Sequence, residues 1–254
     1  MKNRLTKDQI SKIRLLARDG YSLKSISEKL YVSKSTVYYH AKNYGHKMTK
    51  FNVNLLDERE NGYVIGLFLG DGSFNRGRKE HRFFVRFALD AKRDGDVAKR
   101  LAQIMEKAGK KMNLLSWKSN TIAKTCSKEL VNYIQSYIEY TQGEKNLLAN
   151  KEWSDTFKYG LIAGIIDSDG HVHAHLGTEI KTVSSKIFKN ILTILQELGI
   201  SANRKMRDAP SNSFSKKPRF EIYIPSAEMK RHKSEIPSAK VARYLSSADI
   251  SEKD

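Results

Sequence analysis

The chain is short of several things, and each shortage narrows what it does. It has one cysteine, Cys126, so no internal disulfide forms and no cysteine cluster is available for zinc. It has four prolines and no long Gly/Ser tract, which leaves little room for low-complexity linkers. Only 208–218 and the last four residues read as loose, the former as a long hairpin loop. No apolar run approaches the ~20 residues that a membrane span needs. The first residues, Met-Lys-Asn-Arg-Leu-Thr-Lys, carry charge but no apolar stretch of the signal-peptide kind. A soluble, cytoplasmic protein with no membrane partner is therefore expected. Acid is also scarce. Asp and Glu number 28 against 46 Lys and Arg, a formal net charge of +18 over 254 residues. Such an excess favours a polyanionic partner, nucleic acid first.

What is present divides in two. Twelve Lys and Arg against three acids fill the first fifty residues. There, Thr6 with Gln9 forms a capping pattern ahead of a helix to Arg18, with Ile10, Ile13, Leu16 and Ala17 on one face. Residues 22–30 form a second short helix, and Tyr31-Val32-Ser33 a tight turn. Ser33 caps a third helix to about Asn43. Helix, three-residue turn, helix is the spacing of a helix-turn-helix DNA-binding module, here over 1–48. Lys34, Ser35, Thr36, Tyr38, Tyr39 and His40 would face a major groove.

From about Phe51 onward one order of elements occurs twice. Tyr63 to Gly72 and Leu161 to Gly170 are near copies: an apolar run, a glycine in its middle and an Asp-Gly end. After the first come an alternating strand (Phe83, Val85, Phe87, Leu89), a helix (Val97, Leu101, Ile104, Met105), two strands and a helix at about 128–140. After the second come strands near 171–176 and 179–183, a helix through Leu198, and a hairpin ending in Arg219–Ile224. A final helical region follows Ser226. The expected fold is α+β, αββαββα repeated over 51–150 and 151–250 about a pseudo-two-fold axis. Gly66, Gly164 and Ala163 would let the two repeated helices approach closely, bringing Asp71 and Asp169 to one point. Two carboxylates there suit a divalent cation with oxygen ligands. A lone Asp-Gly is usually a helix-ending turn; the pairing favours chemistry. Asp167, which matches Leu69 of the first copy, reads as a cap or a local hydrogen-bonding group.

Ile162-Ala163-Gly164-Ile165-Ile166-Asp167-Ser168-Asp169-Gly170 is very close to the LAGLIDADG signature, and Val64 to Gly72 matches it more loosely. Over roughly 51–246 the chain resembles a monomeric, two-motif LAGLIDADG homing endonuclease. The resemblance implies site-specific double-strand cleavage of a long asymmetric DNA target with Mg²⁺, for which Mn²⁺ substitutes. It makes Asp71 and Asp169 the metal-binding acids and the carbonyls of Gly70 and Ser168 secondary ligands. It also implies a basic residue beside each metal, with Lys145 and Lys233 as candidates. A saddle of sheets would meet the DNA through Arg76, Arg78, Lys79, Arg82 and Arg86 in the first half. In the second half it would use His171, His173, His175, Lys181, Arg204, Lys205, Arg207 and Arg219. The three histidines read as DNA-facing side chains on one strand face, with a metal cluster as the alternative. Two other functions fit the same features: a DNA-binding regulator whose nuclease has lapsed, and an RNA-splicing maturase.

Overall fold

The computed structural model describes residues 5–19, 21, 23–43, 51–76, 83–117, 120–141, 144–148, 152–208 and 217–244. The expected DNA contacts Arg78, Lys79 and Arg82, most of the 208–218 loop and the last four residues lie outside them. Two compact units divide the chain, 1–49 and 50–254.

In the first unit, α1 (Lys7–Arg18), α2 (Leu23–Leu30) and α3 (Lys34–Ala41) enclose Ile13, Ala17, Ile26, Val37 and Ala41. Thr6 and Gln9 complete the capping box of α1. The turn from α2 to α3 is held by the Ser27 hydroxyl, which donates to the Val32 carbonyl at 2.6 Å. The Ser33 hydroxyl then accepts from the Thr36 amide at the start of α3.

The second unit is built on two helices, α4 (Glu58–Asp71) and α7 (Asp155–Asp169), each capped by a side chain, Asp57 and Ser154 respectively. Between them come β1 (Gly72–Arg76), β2 (Phe83–Asp90), α5 (Gly95–Lys107), β3 (Asn113–Trp117), β4 (Asn120–Cys126), α6 (Lys128–Gln135), β5 (Ile138–Thr141) and β6 (Glu144–Leu147). After α7 come β7 (Gly170–Val172), β8 (Thr178–Thr182), α8 (Ser185–Glu197), β9 (Asn203–Arg207), β10 (Arg219–Ile224) and α9 (Ser226–Arg231). The two large sheets have the same antiparallel order, β1-β2-β4-β3 and β7-β8-β10-β9. This is the repeated αββαββα plan.

One departure matters. The helix expected at 128–140 stops at Gln135, and a hairpin, β5 with β6, follows it. Ser136 closes α6 by donating from its amide to the Asn132 carbonyl. Ile138 and Leu147 then pair across the hairpin and are buried. The second repeat has no such hairpin among the described residues.

The helix pairing is closer than the sequence reading asked for. A Cβ added at Gly62 or Gly66 would lie 2.0 Å from the carbonyl oxygen of Phe157 or Leu161. One at Gly160 or Gly164 would lie 2.0 or 2.2 Å from that of Arg59 or Tyr63. The seam is thus a four-residue glycine repeat on both helices. Ala163 is buried beside the glycine stripe, about 60° round α7 from Gly160 and about 100° from Gly164. Its Ile and Leu neighbours fill the cores under each sheet.

Candidate active site between the motif helices

Both motif helices end by turning directly into a strand. Gly72 and Gly170 are extended (φ −78° and −89°), and a Cβ at either would collide with Phe68 or Ile166. Glycine is therefore required where the chain leaves the helix, and Asp71 and Asp169 become the last helical residues. Helix C-termini leave carbonyls unsatisfied and carry partial negative charge. Here lysines answer both needs. The Lys145 ammonium, on β6, donates to the carbonyls of Phe68, Gly70 and Gly72 at 2.9, 2.8 and 2.9 Å. At the other helix the Lys240 ammonium donates to the carbonyls of Ser168 and Gly170 at 3.3 and 3.1 Å.

Lys240, and not Lys233, is thus the counterpart of Lys145. Lys233 lies exposed in the turn after α9, with no described contact to either helix end. What delivers Lys240 is Asp167. This carboxylate is completely buried and accepts from the Ser238 hydroxyl (2.5 Å) and the backbone amides of Ala239 (2.8 Å) and Lys240 (3.0 Å). It also accepts from the Tyr63 hydroxyl of the opposite motif helix at 2.8 Å. Asp167 is not the local cap expected: it caps the start of a helix some seventy residues later, at 239–244. Leu69 at the equivalent place in α4 makes no such cap, and its lysine arrives on a strand instead.

The carbonyls of Gly70 and Ser168 each accept a lysine hydrogen bond, which leaves one lone pair apiece. Asp71 is pushed up to about 7, first by burial and then by the Asp169 charge, against the pull of Lys240 and Lys145. Burial also raises Asp169, with Lys145 and then Lys240 acting against it. Lys145 is lowered to about 8 by burial, against the two aspartates. The electrostatics therefore cross over. Each lysine sits on the end of one motif helix yet acts more strongly on the carboxylate of the other. Asp94 adds a third acid on one side only, its carboxylate 3.6 Å from the Lys240 ammonium. On the other side Asp169 and Lys145 open into a cleft of about 620 Å³, also lined by Ser73, Lys181, Lys217 and Arg219.

Residues opposite one another in an antiparallel pair share a face, so register sorts the remaining candidates. In the first sheet the outward rows are Ser73, Arg86, Lys124, Asn113 and Ala88, Ile122, Leu115. Arg86 is on that face as expected, and Lys124 joins it. Arg76 ends β1 opposite Phe83, with its side chain outside the described atoms. In the second sheet Lys181 and Lys205 flank Glu221, and Arg219 stands opposite Arg207, all outward. Arg204 does not join them. It is opposite the buried Ile222 and lines a groove on the helix side with Leu192 and Leu195. The histidines also part. The strand ends at Val172, and Leu176 at φ 68° closes a turn through His173 and His175. His171 and His173 pack edge-on at 4.7 Å, but His175 has left the strand face. No group of three or more His, Cys, Asp or Glu fit to hold a metal occurs among the described residues, so a histidine cluster is ruled out there. In the first unit Lys34, Ser35, Tyr38 and Tyr39 are exposed on α3. The Thr36 hydroxyl is tied to Ser33 at 2.7 Å, and His40 packs edge-on to Tyr39.

Paired motif helices ending in acids under two twin sheets define the LAGLIDADG endonuclease fold. Residues 150–244, the second repeat, match the family model for homing endonucleases. A structure of a mesophilic variant of the homing endonuclease I-DmoI superposes with a TM-score of 0.54 at 13% identity, over 71% of this chain and 97% of that one. I-DmoI in complex with DNA and Mn gives 0.53 at 12% identity, over 71% and 98%. Its complex with DNA and Ca gives 0.54 at 13% identity, over 71% and 91%. No curated protein matches the chain in sequence. No helix among the described residues is long and apolar enough to cross a membrane.

Proposed function

We propose that the chain is a site-specific DNA endonuclease that makes a double-strand cut in a long asymmetric target with Mg²⁺, acting as a monomer. One observation carries this reading. Two carboxylates converge at the ends of glycine-packed helices, and each helix end is held by a lysine ammonium. The donor set fits a divalent cation: oxygen ligands only, from two carboxylates that burial holds above their ordinary proton affinity, Asp71 further by the Asp169 charge. Bound there, such a cation supplies Lewis acidity toward the scissile phosphate and its water. Asp71 and Asp169 hold it. Lys145 and Lys240 fix the helix-end carbonyls and present positive charge toward the phosphate. The outward cations of both sheets, among them Arg86, Lys124, Lys181 and Arg219, grip the duplex. The exposed basic and aromatic face of α3 adds a tethered second DNA contact, which raises the local concentration of the nuclease on its target.

A regulator with a lapsed site would keep the α3 face. It gains nothing from two desolvated carboxylates beside phosphate, and the lysines on both helix ends argue against it. The test is selection from a randomised duplex library, in Mg²⁺ and in EDTA, with wild type and Asp169→Asn. Metal-dependent double-strand cuts at one long motif, lost in the variant, are expected. Enrichment by binding with no cut in Mg²⁺ or Mn²⁺ would overturn the nuclease reading.

A further inference from the structure

The outward faces of the two large sheets have the same topology but differ in the chemistry of one row. The second face is polar throughout: His171, Glu179, Tyr223 and Asn203 form one row, Lys181, Glu221 and Lys205 the next. Two of its acids are neutralised in place, Glu179 by Lys181 at 2.6 Å and Glu221 by Arg207 at 2.8 Å. The first face matches the first of these rows with a polar one, Ser73, Arg86, Lys124 and Asn113, but replaces Lys181, Glu221 and Lys205 by Ala88, Ile122 and Leu115. Phe84, Arg86, Leu115, Ile122 and Lys124 line a groove of about 250 Å³. Leu115 is 46% exposed within it. Beneath them Val85, Phe87 and Ala123 are fully buried, so the core is complete without the outward set. A contiguous apolar patch rimmed by charge marks an interaction site.

We infer that this groove reads thymine through its 5-methyl group, so that one half of the DNA target is recognised by apolar contact and the other by hydrogen bonds. The inference rests on the endonuclease reading above. Three observations point to DNA as the occupant. Arg86 and Lys124 stand side by side in the row next to the apolar one, as a polyanion requires. The row they share begins at Ser73, which lines the cleft with Asp169, so the patch is continuous with the site. Four strands at about 4.8 Å spacing span about 14 Å, comparable to the ~12 Å major groove. In that groove the thymine methyl is the only apolar feature of a base edge. Each methyl removed from water should strengthen binding about fourfold.

The test uses the full chain and the duplex it selects, with binding measured in EDTA. Deoxyuridine replaces thymidine one position at a time, deleting only the methyl. Two or three adjacent positions in one half-site are expected to lose about fourfold each, and the other half-site less than about 1.5-fold. The variant Leu115→Thr/Ile122→Thr keeps strand-forming side chains and should abolish that sensitivity while leaving the other half-site unchanged. Uniform insensitivity of wild type overturns the inference and needs no variant. So does a variant that alters self-association and leaves uridine sensitivity intact, which would make the face a contact between copies. A selected duplex that is bound but never cut overturns only the nuclease reading; failure to select any duplex overturns both.

Discussion

The two ends of the motif-helix pair reach the same result by different means. At one, Lys145 comes on a hairpin strand, makes three carbonyl contacts and opens with Asp169 onto a wide cleft. At the other, Lys240 comes from the first turn of a helix, makes two, and is held from below by Asp167 and from the side by Asp94. The helix ends are alike because local rules make them so: glycine at the seam, glycine at the exit, an acid before it. The cations differ because nothing local places them. Any cation long enough to reach the orphan carbonyls satisfies the same electrostatic need, whether its backbone is strand or helix.

The largest effects should come from what the two ends share. Asp71→Asn and Asp169→Asn are each expected to lower cleavage by about a thousandfold or more, with binding changed less than threefold, because each removes several kcal/mol of charge compensation at the metal. If either variant cuts like wild type, the two ends are not one site. Lys145→Met and Lys240→Met should each cost about a hundredfold, and Lys233→Met nothing measurable. Nicking assays that follow each strand separately check this. Equal losses at positions 233 and 240 would remove Lys240 from its place opposite Lys145.

Asp167→Leu makes the second motif resemble the first and sharpens the contrast. It strands four donors, so a loss of about 3 kcal/mol or more in chemical denaturation is expected, together with loss of the Lys240 contribution. If stability falls and cutting per folded molecule does not, Asp167 does not position that lysine. The smallest effect is on pH. The folded protein holds the Asp71 proton up to about 7, above the ordinary carboxylate value of 3.8. Stability of the metal-free protein should therefore fall as pH rises from about 4 to about 7, since the folded state binds the extra proton. Cation and proton compete for the same oxygens, so Mn²⁺ affinity should rise up to tenfold per pH unit below about 7 and level off above it. Calorimetry at several pH values measures this; a flat profile would show Asp71 ionised throughout.

Much of this was legible in the sequence. The repeated Asp-Gly, the alternation of β2 and β10 and the caps at Thr6 and Ser33 are short-range signals, and the elements lie close to where those signals place them. The sequence also displayed Gly62 and Gly160, four residues before Gly66 and Gly164, a seam signal that needed only to be counted. Arg204 was misread because alternation shows which residues share a face but not which face is covered. His175 was misread because apparent alternation ran past Val172 into a turn.

The sequence by itself determined the duplicated plan, the glycines of the helix seam and the two acids at its end, since backbone sterics and helical periodicity act within a few residues. Tertiary structure alone decided which lysine completes the second end. Lys240 is placed by a buried carboxylate 73 residues away in sequence. In a chain with 46 Lys and Arg, no local rule distinguishes that lysine from Lys233. The two sheet faces were settled in the same way. Their contrast depends on which side each strand turns to the core, and that is fixed only when the helices pack against the sheets.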